Sequence, residues 1–480
     1  MNVRAVLRLL GRILKLVACA ELLPIVACLW YGETADALAL ALAAGLTLGA
    51  GLVLARGAQP EDRLYRREGI LIVVGGWLLA SVFGALPYLL TGATGSWIDA
   101  LFESASGFTT TGASIFTDIE SKGRGLLLWR SQTQWLGGLG IIVIFVALLS
   151  ELGPGTRFLY RLEVPGPTKE ILHPRVRSTA RLLLEIYLAL SAACLVLLLV
   201  GGMDLYDALT HTFSTLSTGG FSPRNASVAA FSSPFVELVL IVFMTIAGIN
   251  FSLFYVALRG KGRIWGDREL QLYLALLATA SVVVAVDLVA RHQQTPGRAM
   301  LDATFQVVSL MTTTGFATAD YDRWPDAARA VLVFVMLIGG SAGSTAGGMK
   351  VMRVLIALKT ALREVRLNFS PNAVIPVIIR QSQVPEEVTR SVSGFVVLYA
   401  ITLVSGATLL TLGGTDLVTA WSAALACLAN VGPGLAEVGP TANFAFFSGW
   451  EKLLLVLLMW LGRLEILVIV AVVVRSFWKQ

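Results

Sequence analysis

Long apolar runs alternate with short polar segments along the whole chain. Several runs reach about 20 residues, the length that an α-helix needs to cross the hydrocarbon core of a bilayer. Shorter apolar stretches, of roughly 11 to 13 residues, lie between pairs of long ones and are too short to cross. The pattern predicts re-entrant half-spans at 97–108, 206–216, 301–311 and 416–428.

Each half-span belongs to a repeated unit. A long apolar helix comes first, followed by the half-span, a turn that contains glycine, and a second long helix, which we call the inner helix of the unit. Two more long helices precede the first unit, so we predict an all-α polytopic membrane protein with ten transmembrane helices. Because each unit has two full spans, all four share one orientation and can surround a single pseudo-fourfold pore. The predicted boundaries are 1–58 for the N-terminal helices, 68–150, 178–258, 268–360 and 388–476 for the units, and 339–348 for a break in the inner helix of the third unit.

Composition and charge support a membrane location and indicate an orientation. Hydrophobic residues make up 56% of the 480 positions, charged residues make up 14%, and the mean hydropathy is +0.75. Soluble proteins carry roughly 25% charged residues. Of the 37 lysines and arginines, 27 lie in the termini and in loops on one side, which the positive-inside rule assigns to the cytoplasm. Both termini are therefore predicted to be cytoplasmic, and the net charge of +6 reports topology rather than a nucleic-acid partner.

The four turns share a glycine, which threonine precedes in three of them. Glycine permits positive φ and close approach, so successive backbone carbonyls can face one axis. A half-span helix also directs the partial negative charge of its C-terminus at a cation on that axis. The turns are Thr110-Thr111-Gly112, Ser217-Thr218-Gly219, Thr313-Thr314-Gly315 and Asn430-Val431-Gly432. Upstream aspartates are predicted to cap the four half-spans at their N-termini: Asp99, Asp207, Asp302 and Asp416.

The segments that contain these turns carry a family resemblance. They are residues 102–113, 217–222, 312–316 and 430–434. They resemble the Trk/Ktr/HKT superfamily of potassium transporters and, within it, the bacterial Trk-type membrane subunit. The resemblance covers nearly the whole chain and implies a filter that prefers K⁺, tolerates Rb⁺ and conducts Na⁺ less well. It implies that the twelve turn residues form this filter and that K⁺ is held at Thr110, Thr111, Ser217, Thr218, Thr313, Thr314, Asn430 and Val431.

The same resemblance implies a function and partners. The chain is expected to take up potassium across the bacterial inner membrane and not to be an enzyme. K⁺ is the transported ion, and no cofactor is expected in this chain. A homodimer in the lipid bilayer is expected, regulated by a cytosolic nucleotide-binding subunit of the TrkA type.

A run of small residues at 339–348 interrupts the second long helix of the third unit. Each glycine costs up to ~1 kcal/mol relative to alanine in a helix interior, which predicts a break. A phosphate-binding loop is disfavoured, because Met349 separates Gly348 from Lys350 and no strand precedes the run. The family resemblance implies an intramembrane loop that gates the pore, with the gate residues Gly343, Ser344, Thr345, Ala346, Gly347 and Gly348.

Arg463 lies well inside the last apolar helix. Arginine at the centre of a membrane helix costs at least ~2.5–3.5 kcal/mol, so we expect its side chain to face water, a partner or the pore. The resemblance implies that Arg463 is a gate residue below the filter, where its charge slows cations. Pairing with a carboxylate is the alternative, although Glu465, two residues on, would point to a different face.

Several alternatives remain open from the sequence. Glu103 in the first half-span either attracts cations at the pore mouth or holds the filter segment from behind. His211 in the second half-span is expected to pack rather than to transfer protons. Flux is either channel-like or coupled to H⁺ or Na⁺, as in a symport or another secondary transporter. A voltage-gated channel is disfavoured because an arginine-periodic sensor is absent from the sequence, and the dispersed cysteines and histidines predict no metal centre.

Overall fold

The computed structural model describes residues 2–56, 66–151, 176–258, 264–291, 294–379 and 382–478, and these are mostly helical. A two-residue antiparallel pair, Ile378–Ile379 with Ser382–Gln383, forms a small hairpin. The α-helices are Val3–Ala20, Leu22–Trp30, Thr34–Leu54, Arg66–Gly84, Leu86–Leu90, Trp97–Phe108, Arg124–Glu151, Val176–Val200, Leu205–Leu216, Pro234–Ala247, Phe251–Leu258, Arg268–Ala290, Pro296–Met311, Asp326–Ile338, Val351–Phe369, Glu386–Leu412, Leu417–Leu428, Gly449–Arg463, Ile466–Val473 and Arg475–Trp478.

The long helices have the length and hydropathy of membrane spans. Six described helices meet both conditions, or up to eight when each of two bent helix pairs counts as one span. Large apolar side chains such as Leu38, Val286 and Ile401 are exposed on these helices. Only helices and closed barrels satisfy their backbone polar groups within lipid, so these exposed faces fit contact with acyl chains.

The four half-span helices lie inside the protein rather than at its surface. In the first of them, every residue from Ala100 to Phe108 is buried. A helix that is buried on all sides needs small or apolar residues around its whole circumference, which explains why these segments look apolar in sequence. The third begins at Pro296, earlier than predicted, because proline fits the first helical position well.

The predicted aspartate caps are correct in one unit of four. Asp416 accepts hydrogen bonds from the backbone N–H groups of Val418 and Thr419 and is a true N-cap. In the first three units the N-cap is another residue: Ser96, Asp204 and Thr295. Asp99 and Asp207 instead occupy the first turn, where negative charge still favours the helix N-terminus.

The inner helix is broken in three units, whereas the sequence predicted a break in one. In the third unit the helix ends at Ile338 and the next begins at Val351, so the predicted break at 339–348 is present. In the second unit the chain bends by 91° after Ala247, and in the fourth it bends by 110° after Arg463. The prediction of an unbroken second long helix in the second and fourth units is therefore wrong.

Candidate functional site

Each half-span helix ends in the same backbone motif. We call residues 109–112, 217–220, 312–315 and 429–432 the four glycine turns. In the first turn, Thr110 N–H donates to Gly107 O and Thr111 N–H donates to Ser106 O, which is the Schellman hydrogen-bond pattern. The same two bonds recur in the other three turns. The residue after the helix cap is left-handed in every case, with φ of 53° at Thr110, 54° at Thr218, 58° at Thr313 and 56° at Asn430.

This shared geometry corrects the register of the second turn. The fourth residue of each turn is a glycine with positive φ: Gly112, Gly220, Gly315 and Gly432. The sequence aligned Gly219 with Gly112, but the structure makes Gly220 the counterpart of Gly112. By the same shift Gly219 corresponds to Thr111 and Ser217 to Thr109. The sequence could not separate the two registers, because two adjacent glycines occur there.

The four turns contact one another in a closed cycle. A Cβ atom added to Gly112 would overlap the carbonyl oxygen of Gly219 in the second turn. The corresponding additions to Gly220 and Gly315 would overlap Thr314 O and Val431 O, and an addition to Gly432 would approach Thr111 O. The cycle therefore runs from the first turn to the fourth and back to the first. Only glycine allows this close approach at these positions.

Side-chain hydrogen bonds hold the turns in place. The Thr109 and Thr111 hydroxyls lie 2.7 Å apart, and those of Thr312 and Thr314 lie 2.8 Å apart. Asn430 Nδ2 donates to Thr111 Oγ1 at 2.9 Å and to Met459 O at 3.0 Å. Asn430 thereby joins the fourth turn both to the first turn and to the last inner helix.

Gln134 supports the second turn from the inner helix of the first unit. Its Nε2 donates to Gly219 O at 2.6 Å, and its Oε1 accepts from Phe221 N–H at 3.0 Å. The nitrogen and the oxygen of the Gln134 amide are thus both bonded to the backbone of residues 219–221. The inner helix of the first unit therefore fixes part of the second turn.

A polar side chain six residues before the helix cap holds the returning segment in three units. Glu103 accepts from Ser114 Oγ and from Ile115 N–H, each at 3.0 Å. His211 Nε2 lies 3.1 Å from Ser222 Oγ. Gln306 contacts Thr318 Oγ1 at 3.3 Å. His211 therefore has a positioning role as well as the packing role predicted, and the fixed offset from the turn was a sequence signal for it.

Glu103 also forms a buried ion pair with Arg130. The Arg130 Nε–Glu103 Oε1 distance is 2.5 Å, and both side chains are almost completely buried. Arg130 Nη1 donates to Ser222 O at 3.0 Å, and its guanidinium carbon lies 3.5 Å from the centre of the Phe221 ring. A carboxylate that is buried and neutralised in this way does not attract cations at a pore mouth. Of the two alternatives for Glu103, the structure favours the one in which it holds the filter segment from behind.

Ion pairs and caps surround the outer ends of the half-spans. Lys452 Nζ lies 2.6 Å from Asp99 Oδ1 and so connects the fourth unit to the first. Arg224 pairs with Asp207 at 2.6 Å. Asp416 remains unpaired by the described cations, and hydrogen bonds from Thr419 and from the amide of Val418 hold its pKa below the usual range of aspartate.

The break in the third unit forms a loop, residues 339–350, directly below the third and fourth turns. Gly347 N–H donates to Thr313 Oγ1 at 2.7 Å, and Gly348 N–H donates to Ala429 O at 3.0 Å. The loop also contacts the broken inner helix of the second unit, because Thr345 N–H donates to Ala247 O at 3.3 Å. We call this segment the subfilter loop.

Glu269 tethers both ends of the subfilter loop. Its Oε1 accepts from Ala342 N–H at 2.8 Å and from Met352 N–H at 3.2 Å. Glu269 is 2% exposed and lies in the first turn of the long helix that opens the third unit. The sequence prediction missed this residue, because nothing in the local pattern connects it to a segment about 70 residues away.

Arg463 reaches the subfilter loop from the fourth unit. Its Nη1 donates to Thr345 O at 2.7 Å, and the residue is 4% exposed. Glu465 pairs instead with Arg353 at 2.7 Å, and Arg463 forms no ion pair with any carboxylate in the described part of the chain. The alternative that Arg463 is held by a carboxylate is thus not realised here. Its backbone neighbour Gly462 packs against Leu428 O, at the base of the fourth turn.

Comparisons with known proteins give consistent matches over the whole chain. A family model described as TrkH, cation transport protein, matches residues 37–479. The Trk system potassium uptake protein TrkH of Halomonas elongata is 38% identical, with all of both chains covered. TrkH of Escherichia coli K12 is 36% identical over the full length of both chains. The crystal structure of the potassium transporter TrkH from Vibrio parahaemolyticus superposes with a TM-score of 0.91, at 34% identity and with all of both chains covered.

Proposed function

The chain belongs to the TrkH family of cation transport proteins, and from this premise we propose that it takes up potassium through a pore enclosed by the four glycine turns. It is a multi-pass membrane protein and a transport protein, not an enzyme. The observation that carries the pore proposal is the closed cycle of contacts among the turns. Four equivalent backbone segments that meet around one axis can replace the hydration shell of a cation.

In the proposed filter, backbone carbonyl oxygens of the turns coordinate K⁺. The register of the second turn suggests Thr218 and Gly219 as its ligands, in place of Ser217 and Thr218. The full proposed set is Thr110, Thr111, Thr218, Gly219, Thr313, Thr314, Asn430 and Val431. In every turn a glycine directly follows the two proposed ligands. We propose that the resulting filter prefers K⁺, tolerates Rb⁺ and conducts Na⁺ less well.

The subfilter loop is the proposed gate. It lies below two of the turns and is fixed by hydrogen bonds whose partners include Thr313, Ala429, Ala247, Glu269 and Arg463. Conduction requires this loop to move, and its glycines allow the backbone to change conformation. Arg463 holds the loop and adds a positive charge that raises the barrier to cations.

The proposed architecture has ten transmembrane helices, four units around one pseudo-fourfold axis, and both termini in the cytoplasm of a bacterial inner membrane. The charge distribution supports this orientation, with 27 of 37 basic residues on the proposed cytoplasmic side. The relatives are named as members of a Trk system. We therefore propose that the chain works as a homodimer in the bilayer, with a cytosolic nucleotide-binding subunit of the TrkA type as its regulator.

Coupled transport is the second candidate. In that case H⁺ or Na⁺ moves together with K⁺, as in a symport. The two mechanisms differ in one measurable quantity. A channel stops net flux at the K⁺ equilibrium potential, whereas a coupled transporter shifts this point when a pH or Na⁺ gradient is imposed.

Expression in a bacterium that lacks its own potassium uptake systems tests the proposal. We expect growth at low external K⁺ and ⁸⁶Rb⁺ uptake that K⁺ inhibits and choline does not. Gly112→Ser is expected to weaken both effects. Gly202→Ser is the matched control, because Gly202 also has positive φ but lies in open space. Equal loss in both variants, or no K⁺-dependent growth with the wild type, would contradict the pore.

A further inference from the structure

A cavity of about 80 Å³ lies beneath the subfilter loop. Its lining includes three basic side chains, Lys350, Arg353 and Arg463, and one acidic side chain, Glu465. Glu465 is already paired with Arg353. The cavity therefore holds an excess of positive charge that no described lining residue neutralises.

Arg463 has an unused edge in this cavity. Nη1 is bonded to Thr345 O, but Nε and Nη2 have no hydrogen-bond partner among the described residues. These two nitrogens form one edge of the guanidinium and donate in parallel, which suits an anion held by two hydrogen bonds. A buried donor without a partner is costly, so such groups usually indicate a bound water or ion.

The other cations of the cavity are occupied. Lys350 Nζ donates to Ala346 O. Arg353 is paired with Glu465 and also lies over the Phe395 ring at 4.3 Å. Of these three side chains, Arg463 alone has buried nitrogens that lack any hydrogen-bond partner among the described residues, while Lys350 and Arg353 contribute positive potential.

We propose that this cavity binds a small inorganic anion on the Nε–Nη2 edge of Arg463. A water-sized body needs about 10–15 Å³ of such a volume, so the cavity accepts a halide with some of its hydration but excludes a large organic anion. The bound anion neutralises the charge of Arg463 next to the ion path. Anion binding thereby stabilises the folded subfilter region and lowers the electrostatic barrier to K⁺.

Bromide tests the site directly, since its anomalous scattering locates it without any assay of transport. Crystals of the full chain grown in bromide are expected to show an anomalous peak in contact with Nε and Nη2 of Arg463. In solution, chloride or bromide is expected to raise the Tm by on the order of 1–2 °C relative to gluconate at equal ionic strength, with saturation. Phosphate in a third arm distinguishes a halide site from a general oxyanion site.

Variants separate the bound anion from a general salt effect. Arg463→Gln removes the edge and is expected to abolish both the peak and the halide-dependent shift. Arg463→Lys keeps the charge but loses the paired donors, and we expect the shift to fall by at least half. Arg363→Gln is the control, because the Arg363 guanidinium is already paired with Glu364 and Glu386. We expect this variant to retain both the anomalous peak and the halide-dependent shift in Tm.

Anion binding and its test are independent of the transport proposal, whereas the effect on the barrier to K⁺ rests on that proposal. A bromide peak with a saturable halide shift supports the site even if the protein carries no Rb⁺. The absence of a peak in the wild type overturns it and leaves the Arg463 edge hydrated only. A peak without a halide-dependent change in Tm also overturns the proposed site, because it would show binding at crystal concentration only.

Discussion

Arg463 Nη1 donates a hydrogen bond of 2.7 Å to the backbone carbonyl oxygen of Thr345, and so links the fourth unit to the subfilter loop of the third. The bond ends on a carbonyl rather than on a side chain, so its strength does not depend on the identity of residue 345. It also places a positive charge beside a loop that lies directly below the third and fourth turns. In the proposed gate, Arg463 therefore contributes both a mechanical tie and an electrostatic barrier.

Replacing Arg463 with alanine removes both contributions. We expect ⁸⁶Rb⁺ uptake by purified protein in liposomes to rise about tenfold, which corresponds to about 1.4 kcal/mol off the barrier. Arg291→Ala is the control, because Arg291 is an exposed partner of Asp287 far from the loop in sequence. An unchanged or slower rate for a folded Arg463→Ala protein would show that Arg463 does not restrain flux.

Glu269 offers a second way to release the loop. Glu269→Ala leaves the N–H groups of Ala342 and Met352 without their acceptor, at a cost of about 1–3 kcal/mol for each buried group. We expect faster basal Rb⁺ flux and a lower Tm. Glu269→Gln keeps an oxygen acceptor and is expected to behave much like the wild type. If glutamine were as damaging as alanine, the role of Glu269 would depend on its charge and not on the two hydrogen bonds.

The Glu103–Arg130 pair is expected to support the filter through stability. Glu103→Ala leaves a buried guanidinium without its counter-charge, which costs about 3–5 kcal/mol. Thermal unfolding of the purified variant measures this loss. The double change Glu103→Leu with Arg130→Met is expected to recover part of it. Glu185→Ala, which removes an exposed pair, should cost less than about 1 kcal/mol. A similar small loss for Glu103→Ala would refute the support role.

The register of the second turn has its own test. We expect Gly220→Ser to reduce the preference for Rb⁺ over Na⁺ as strongly as Gly112→Ser, because either Cβ would overlap a carbonyl of the next turn. A Cβ at Gly219 instead meets the side chain of Gln134, so Gln134→Ala should partly rescue Gly219→Ser. The same change should not rescue Gly220→Ser. Rescue of both, or of neither, would mean that the two glycines are not distinguished in this way.

The sequence predicted those elements whose cause is local. The half-spans are short because an apolar run ends at a polar turn, and the break before Val351 follows from a run of glycine, serine and alanine. The bend after Ala247 coincides with a contact between units. Phe251 N–H donates to Gly343 O, and only isolated residues such as Gly248 and Asn250 interrupt the apolar pattern around this bend. A single-segment pattern carries no information on such contacts.

The candidate site likewise contains residues that a local pattern predicts and residues that only contacts between units identify. The four turns were found from repeated threonine and glycine, and the structure brings all four together. Gly220 and Glu269 were missed, since each is identified by its contact with another unit. Lys350 and Glu465 adopt positive φ, of 77° and 64°, where the inner helices resume. Positive φ strains the backbone of any residue other than glycine, and tertiary packing decides where it occurs. The sequence alone therefore does not reveal it.

The most direct test of the pore is the selectivity of ⁸⁶Rb⁺ uptake into proteoliposomes, with the regulatory subunit added if the chain alone is silent. Wild type, Gly112→Ser and Gly202→Ser should be compared with K⁺, Na⁺ and choline as competitors. We predict that K⁺ blocks wild-type uptake far better than Na⁺, that Gly112→Ser makes Na⁺ a better competitor, and that Gly202→Ser behaves as the wild type. Rb⁺ uptake whose ion preference is unchanged by Gly112→Ser would contradict the four-turn filter.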